Sequence, residues 1–270
     1  MKLKNKNVVV TGGGSGIGRA LCKRFAAENA NVVVSDLKLD RAQTTAAEIK
    51  GHAVQCDVSN EADIKMLVAE AEKQVGQIDL FCSNAGLFFG EPEHAASASN
   101  DVWQTSWEVH VMAHVYAARA VLPSMIERSQ GYLLNVASAA GLLSQIGDAA
   151  YSTTKHAAVG FAESLSITHR DDGIRVSVLC PQYVATPMLG YDNDASSDVE
   201  GVISAEQLAD TVIEGIDDER FLILPHPQVA DYMVHKAGNY DRWLGGMRKL
   251  RRRIIDKTGS TRAKEIYRHM

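Results

Sequence analysis

Asn7-Val8-Val9-Val10-Thr11-Gly12-Gly13-Gly14-Ser15-Gly16-Ile17-Gly18 is the stretch whose reading decides the fold. Three consecutive valines bounded by polar residues read as a strand buried on both faces, the kind found in parallel sheets. The glycines that follow allow a tight turn and let backbone N–H groups approach a phosphate. An amphipathic pattern near Gly16 to Glu28 then reads as a helix whose positive end faces whatever the turn holds. Gly12, Gly16 and Gly18, with Ser15 and Ile17 between them, are therefore candidates for binding the pyrophosphate of a dinucleotide.

Outward from this unit, short β-branched runs alternate with longer amphipathic segments, the pattern of a doubly wound α/β fold with helices on both faces of a parallel sheet. Seven strands are expected, at Asn7–Thr11, Asn31–Ser35, His52–Gln55, Ile78–Ser83, Gly131–Val136, Ile174–Leu179 and Phe221–Leu224. Helices are expected near Gly16–Glu28, Arg41–Lys50, Glu61–Val75, Val102–Arg128 and Ala149–His169. The glycine-, serine- and aspartate-rich segments Phe88–Asp101 and Leu189–Ser204 read as the lid and rim of a site beyond the strand ends.

Composition narrows the class. The chain has 270 residues, 46% of them apolar, and no apolar run of the length a membrane span requires. Its start, Met-Lys-Leu-Lys-Asn-Lys-Asn, leads directly into the first strand without an apolar leader, so a soluble, cytoplasmic protein is expected. Cys22, Cys56, Cys82 and Cys180 lack the paired spacing of a metal or redox motif and read as buried thiols, and no metal is expected.

Charge divides the chain in two. Residues 226–270 carry 11 bases against four acids, leaving 17 of the 28 bases and 29 of the 33 acids in residues 1–225. A basic tail can meet nucleic acid or an anionic membrane. Here the bases are interleaved with Tyr232, Met233, Tyr240, Trp243, Leu244, Met247 and Leu250 at helical spacing, which fits packing on the acidic body or on a neighbouring subunit, with neither nucleic acid nor membrane as partner. The expected organisation is a catalytic and dinucleotide-binding domain over 1–225 and a basic amphipathic helical extension over 226–270.

Tyr151 and Lys155 stand four apart, one helical turn, so they share a face. A phenol has a pKa of about 10. A cation about 4 Å away at an effective dielectric near 20 contributes roughly 4 kcal/mol, enough to bring the phenol down by around three units. The same spacing also suits an ordinary pair on a partly exposed helix. The pair is accompanied by Ser83-Asn84-Ala85-Gly86 after the fourth strand and by Ser138 just after the fifth.

Together with Thr11-Gly-Gly-Gly-Ser-Gly16-Ile-Gly18, these motifs resemble the short-chain dehydrogenases/reductases over roughly residues 5–225, with the glycine pattern T-G-x-x-x-G-x-G. The resemblance implies a Rossmann-type fold and hydride transfer between a nicotinamide cofactor and an alcohol or ketone. It also implies that Ser138 holds the substrate oxygen, Tyr151 exchanges the proton, and Lys155 lowers the Tyr151 pKa and holds the nicotinamide ribose. Asp57 and Val58 would flank the adenine, and Asn84, Ala85 and Gly86 would line the centre of the cofactor. Pro181, Val184 and Thr186 would border the nicotinamide. A homotetramer is implied, with contacts along the Val102–Arg128 and Ala149–His169 helices.

Asp36, at the end of the second strand and about twenty residues beyond the glycines, fits the ribose hydroxyls of NAD and would repel the 2′-phosphate of NADP. Ser15 supports NAD, because NADP-preferring relatives often carry a base there, while Lys38 and Arg41 blur the preference. Asp36 and Asp57 also suit helix caps, and Asn84–Gly86 also suits a structural turn. Two residues depart from the family pattern: His110 stands where an asparagine completes the catalytic set, and reads either as a proton relay or as a spectator; Gln182 replaces a glycine after Pro181.

Leu87, Phe88, Leu142, Leu143, Gln145, Tyr183, Met188 and Leu189 are the candidate substrate-pocket residues, and each also suits a core or subunit contact. Their apolar character points to an apolar or aromatic secondary alcohol or its ketone. The rivals are an NADPH-preferring carbonyl reductase and a non-catalytic NAD-responsive binding protein.

Overall fold

The computed structural model describes residues 1–91, 93–262 and 266–267. Lys264, Glu265 and Arg268 of the basic tail lie outside the described residues. Strands β1 (Asn7–Thr11), β2 (Asn31–Asp36), β3 (His52–Gln55), β4 (Leu80–Ser83), β5 (Gly131–Val136), β6 (Ile174–Leu179) and β9 (Leu222–Ile223) form one parallel sheet in the order β3-β2-β1-β4-β5-β6-β9. The order reverses between β1 and β4, so a crevice opens at the C-terminal ends of these two strands.

The period-two alternation of strand side chains feeds two cores. Val8, Val10, Val32, Val34, Leu80 and Leu134 point to the face covered by α1 (Gly16–Ala27), α2 (Leu39–Ile49) and α7 (Ala205–Asp217). Val9, Val33, Phe81, Leu133, Val176 and Val178 point to the face covered by α3 (Glu61–Val75), α5 (Ala113–Glu127) and α6 (Ala149–His169). The four cysteines are buried and unpaired. No described helix is long and apolar enough to cross a membrane.

The expected helix Val102–Arg128 is three segments: α4 (Asn100–Trp107), a π-helical turn at Glu108–Met112, and α5. Such insertions carry no proline or glycine signature, and this one holds His110. The fourth strand begins two residues later than expected, and the Arg128 guanidinium takes the Ile78 carbonyl. A short parallel pair, β7 (Tyr183–Ala185) and β8 (Val202–Ser204), lies within what reads as loop. Beyond β9 come α8 (Gln228–Gly238) and α9 (Tyr240–Thr258).

Across the crevice, β1 and β4 are tied by one hydroxyl. Thr11 Oγ1 accepts the backbone N–H groups of Asn84 (3.0 Å) and Ala85 (3.2 Å), and the Asn84 amide returns a bond to the Thr11 carbonyl at 2.8 Å. Thr11→Val keeps the shape but strips both N–H groups of their acceptor, and is expected to cost about 2 kcal/mol. A lowered urea midpoint with an unchanged slope would check this; an unmoved midpoint would refute it.

Candidate active site

The glycine turn is shaped by contact as well as by conformation. Gly12 has φ +63°, and a Cβ there would lie 2.9 Å from the Ala85 Cα. A Cβ at Gly18 would collide with the Gly12 carbonyl. The first turn of α1 therefore opens onto a cleft of about 400 Å³, lined by Gly12, Ser15, Gly16, Ile17 and Gly18. Asn193 reaches this helix end, its side-chain oxygen accepting the Gly16 N–H at 2.8 Å.

Asp36 lies 8% exposed in the same cleft. Its carboxylate accepts the Gly14 and Lys38 N–H groups, each at 3.0 Å, which fixes the carboxylate against the turn. Arg41 lines the cleft beside it. Asp57 also lines the cleft, with one oxygen accepting from the backbone and hydroxyl of Ser59. Val58, Asn84, Ala85, Gly86, Pro181, Val184 and Thr186 line it as well. Helix-end amides for a pyrophosphate and a carboxylate about twenty residues on for a ribose are the donor set a dinucleotide needs.

The helix that presents Tyr151 starts at an Asp148 cap, whose Oδ1 accepts the Tyr151 N–H at 2.9 Å. The Asp148 Oδ2 accepts the Gly90 N–H at 2.8 Å, so the same carboxylate holds the lid segment over α6. The Tyr151 ring meets Phe88 and His110 edge-on, with centroids at 5.3 and 5.4 Å. Ser138 caps a one-turn helix through the Ala140 N–H (3.1 Å), and its hydroxyl engages the Tyr151 phenol.

Lys155 stands beside the Tyr151 ring, as the spacing suggests, but its hydrogen bond goes to the backbone. Lys155 Nζ donates to the Val136 carbonyl at 3.1 Å and lies 5.6 Å from the Tyr151 ring centroid. Burial pushes the phenol up to about 12 against the Ser138 hydrogen bond, which pulls it down. Burial also pulls Lys155 down to about 8. Desolvation, which spacing alone does not reveal, is the largest influence on both groups.

His110 is fully buried and does not line the cleft. Its Nε2 accepts the Leu87 N–H at 3.1 Å, which assigns the proton to Nδ1, donating to Thr154 Oγ1 at 2.9 Å. Burial, with Lys155 and His114 adding to it, holds its pKa well below the usual histidine range. Both ring nitrogens are occupied and the imidazole is neutral, an arrangement that positions Leu87 and leaves no nitrogen open to water.

Of the substrate-pocket candidates, Leu87, Phe88, Gln145, Tyr183, Met188 and Leu189 line the cleft. Leu142 does not, because it packs against the core under α5 and α6. Leu143 lines a second cavity instead. Leu37, Cys56, Val109 and Gln182 also line the first cleft; Gln182 had signalled itself by its departure, the others by nothing in their local sequence. Among the described residues no group of three or more His, Cys, Asp or Glu is placed to hold a metal.

Residues 6–197 match the family model described as short chain dehydrogenase. A 1-deoxy-11-beta-hydroxypentalenate dehydrogenase of Streptomyces exfoliatus is 36% identical over 83% of this chain and 84% of its own length. The meso-2,3-butanediol dehydrogenase of Serratia marcescens is 33% identical over 70% of this chain and 75% of its own. A short chain dehydrogenase/reductase from Burkholderia phymatum, solved in complex with NAD, superposes with a TM-score of 0.81 at 26% identity, covering 89% of this chain and 96% of that one. The match spans well over half the chain and relatives exceed 30% identity across more than two thirds of it, so the protein belongs to the short-chain dehydrogenase family, as an oxidoreductase with that family's doubly wound fold.

Proposed function

We propose that the protein transfers hydride between NAD(H) and an apolar or aromatic secondary alcohol or ketone. The observation that carries this reading is the meeting of Ser138, Tyr151 and Lys155 in one cleft with the glycine turn and Asp36. NAD, when bound, supplies the hydride acceptor and a positively charged ring. The Ile17 and Gly18 amides at the start of α1, joined by that of Gly16 if Asn193 releases it, would hold its pyrophosphate and Asp36 its adenosine ribose. Asn84–Gly86, Pro181, Val184 and Thr186 border the remainder.

Ser138 Oγ holds the substrate oxygen beside Tyr151 Oη, which takes the hydroxyl proton during oxidation and returns it during reduction. A phenol near 12 is a strong base once deprotonated but is rarely so at neutral pH, and the positive charge that bound NAD would supply would favour the phenolate. Lys155, drawn to about 8, is close enough to neutrality to pass a proton on. His110 acts through Leu87 and the Tyr151 ring edge rather than as a relay. A tetramer in the cytoplasm accords with this reading. Ile167 on α6 is 83% exposed and Trp107 on α4 is 41% exposed, apolar surface on the helices where subunit contacts are proposed.

A rival preference for NADPH has one observation in its favour, the Arg41 side chain beside Asp36. Asp36→Ala removes the charge that would repel a 2′-phosphate, so the ratio of NAD to NADP affinity should fall at least tenfold, about 1.4 kcal/mol. Calorimetric titration with both cofactors measures it; a constant ratio would show that Asp36 does not set the preference.

The reaction itself is tested by NADH formation from aliphatic, aromatic and cyclic secondary alcohols. Wild type should turn over and Tyr151→Phe should lose at least about a hundredfold, the scale of positioned acid–base catalysis. Equal rates in the two proteins would overturn the assignment. His110→Ala should lower kcat/KM about tenfold, because Leu87 and the Tyr151 ring lose a support, without displacing the pH–rate profile. A displaced profile would restore His110 as a proton carrier.

A further inference from the structure

The hairpin α8–α9 is anchored to the two segments that carry the chemistry. The buried His226 accepts the Gln182 N–H at Nδ1 (3.2 Å) and donates from Nε2 to the Tyr183 carbonyl (3.1 Å). Gln228 Nε2 donates to Gln182 Oε1 at 3.0 Å. Further along α8, Lys236 Nζ donates to the carbonyls of Leu142 (2.8 Å) and Leu143 (2.9 Å) in the loop after Ser138. The same ammonium lies 5.0 Å from the Trp243 ring centroid and 5.5 Å from that of Tyr240, so one cation fixes the loop and the α9 aromatics together.

Between the hairpin and these segments lies a second cavity of about 370 Å³. Tyr232 of α8 and Trp243, Met247 and Leu250 of α9 form its outer wall. Ser138, Gln145 and Tyr183 belong to the lining of both cavities, so the second begins where the substrate oxygen is expected to sit. Its size falls in the range of about 300–1,000 Å³ that takes a compact organic ligand, far more than a four-carbon alcohol fills. Its walls offer aromatic faces and an adaptable thioether. Glu200, exposed at the edge, is the charged residue of the lining and would repel a carboxylate, while Lys236 is already spent on two carbonyls.

We infer that the α8–α9 hairpin is part of the substrate site. It encloses a chamber for the body of a bulky, rigid, uncharged alicyclic or polycyclic secondary alcohol whose reacting carbon stays at Ser138 and Tyr151. This rests on the hydride-transfer reading above. Trp243 and Leu250 then determine specificity, and Lys236 holds the wall in place.

The test uses the full chain, with 2-decalol as the bicyclic probe and 2-butanol as the small one. Trp243→Ala should lower the ratio of kcat/KM for 2-decalol over 2-butanol about tenfold, the scale on which apolar pocket contacts discriminate. Leu250→Trp, which fills the chamber instead of opening it, should lower the same ratio. Calorimetric binding of 2-decalone to the protein, with and without NADH, should weaken in both variants. Melting temperatures near wild type exclude a folding defect, and Trp243→Phe should restore most of the ratio if Trp243→Ala proves unstable. Equal losses on both alcohols, an unmoved ratio, or no binding of 2-decalone by wild type would overturn the inference. If wild type oxidises neither alcohol yet binds 2-decalone in a manner both variants weaken, the hydride-transfer reading fails and the chamber stands.

Discussion

The site depends on the Thr11 hydroxyl, which sits where strand order reverses. Adjacent strands on either side of that point send their connections to opposite faces, and the crevice that results has no ladder to hold its lips. Thr11 Oγ1 closes the lips from beneath by taking two N–H groups of the Asn84–Ala85 turn, and Asn84 answers to the carbonyls of Thr11 and Gly12. With the turns locked at that spacing, no side chain fits at Gly12 or Gly18, and the first turn of α1 faces the cleft. The crevice is therefore held just beyond the β1–β4 ladder by the Thr11 hydroxyl with its two donors and by the Asn84 amide.

Burial governs the electrostatics of this crevice more than pairing does. Tyr151 and Lys155 are displaced in opposite directions, each toward its neutral form, because the free chain surrounds them with apolar wall and one carbonyl or hydroxyl apiece. The phenol is therefore neutral near pH 7, while Lys155, drawn only to about 8, keeps most of its charge there. His110 extends the same logic. Fully buried, it is neutral, with one nitrogen donating and the other accepting, and it adds a rigid edge contact to the phenol instead of a charge.

What local sequence determines was legible, and what long-range contact determines was not. The seven strands of the sheet and the glycine turn follow from hydrophobic periodicity and from residue types at fixed spacing, whereas Ser138, Tyr151 and Lys155 as a set come from the family resemblance; all of them, with Asp36, lie along one cleft at the strand ends. The π-helical turn at Glu108–Met112 left no trace, since the same residues satisfy an ordinary helix and only packing of His110 against Thr154 and Leu87 selects the wider turn. Three-residue strands such as β7 and β8 are too short to show a period. Leu142 and Leu143 differ in fate by one residue, one facing the core and the other the second cavity, in a loop whose carbonyls are held by Lys236, more than ninety residues away in the chain.

Gln182 joins these threads. In the resembling family a glycine stands here, yet Gln182 is not among the residues of this chain with positive φ, so its backbone does not require one. Its amide oxygen instead accepts from Gln228 and its N–H goes to His226, both in the chain just after the last strand. A glycine would keep the backbone bond and lose the side-chain one. The unusual residue in the turn after β6 and the chain beyond β9 are therefore parts of one arrangement: the side chain that breaks the family pattern also bonds the first residue of α8.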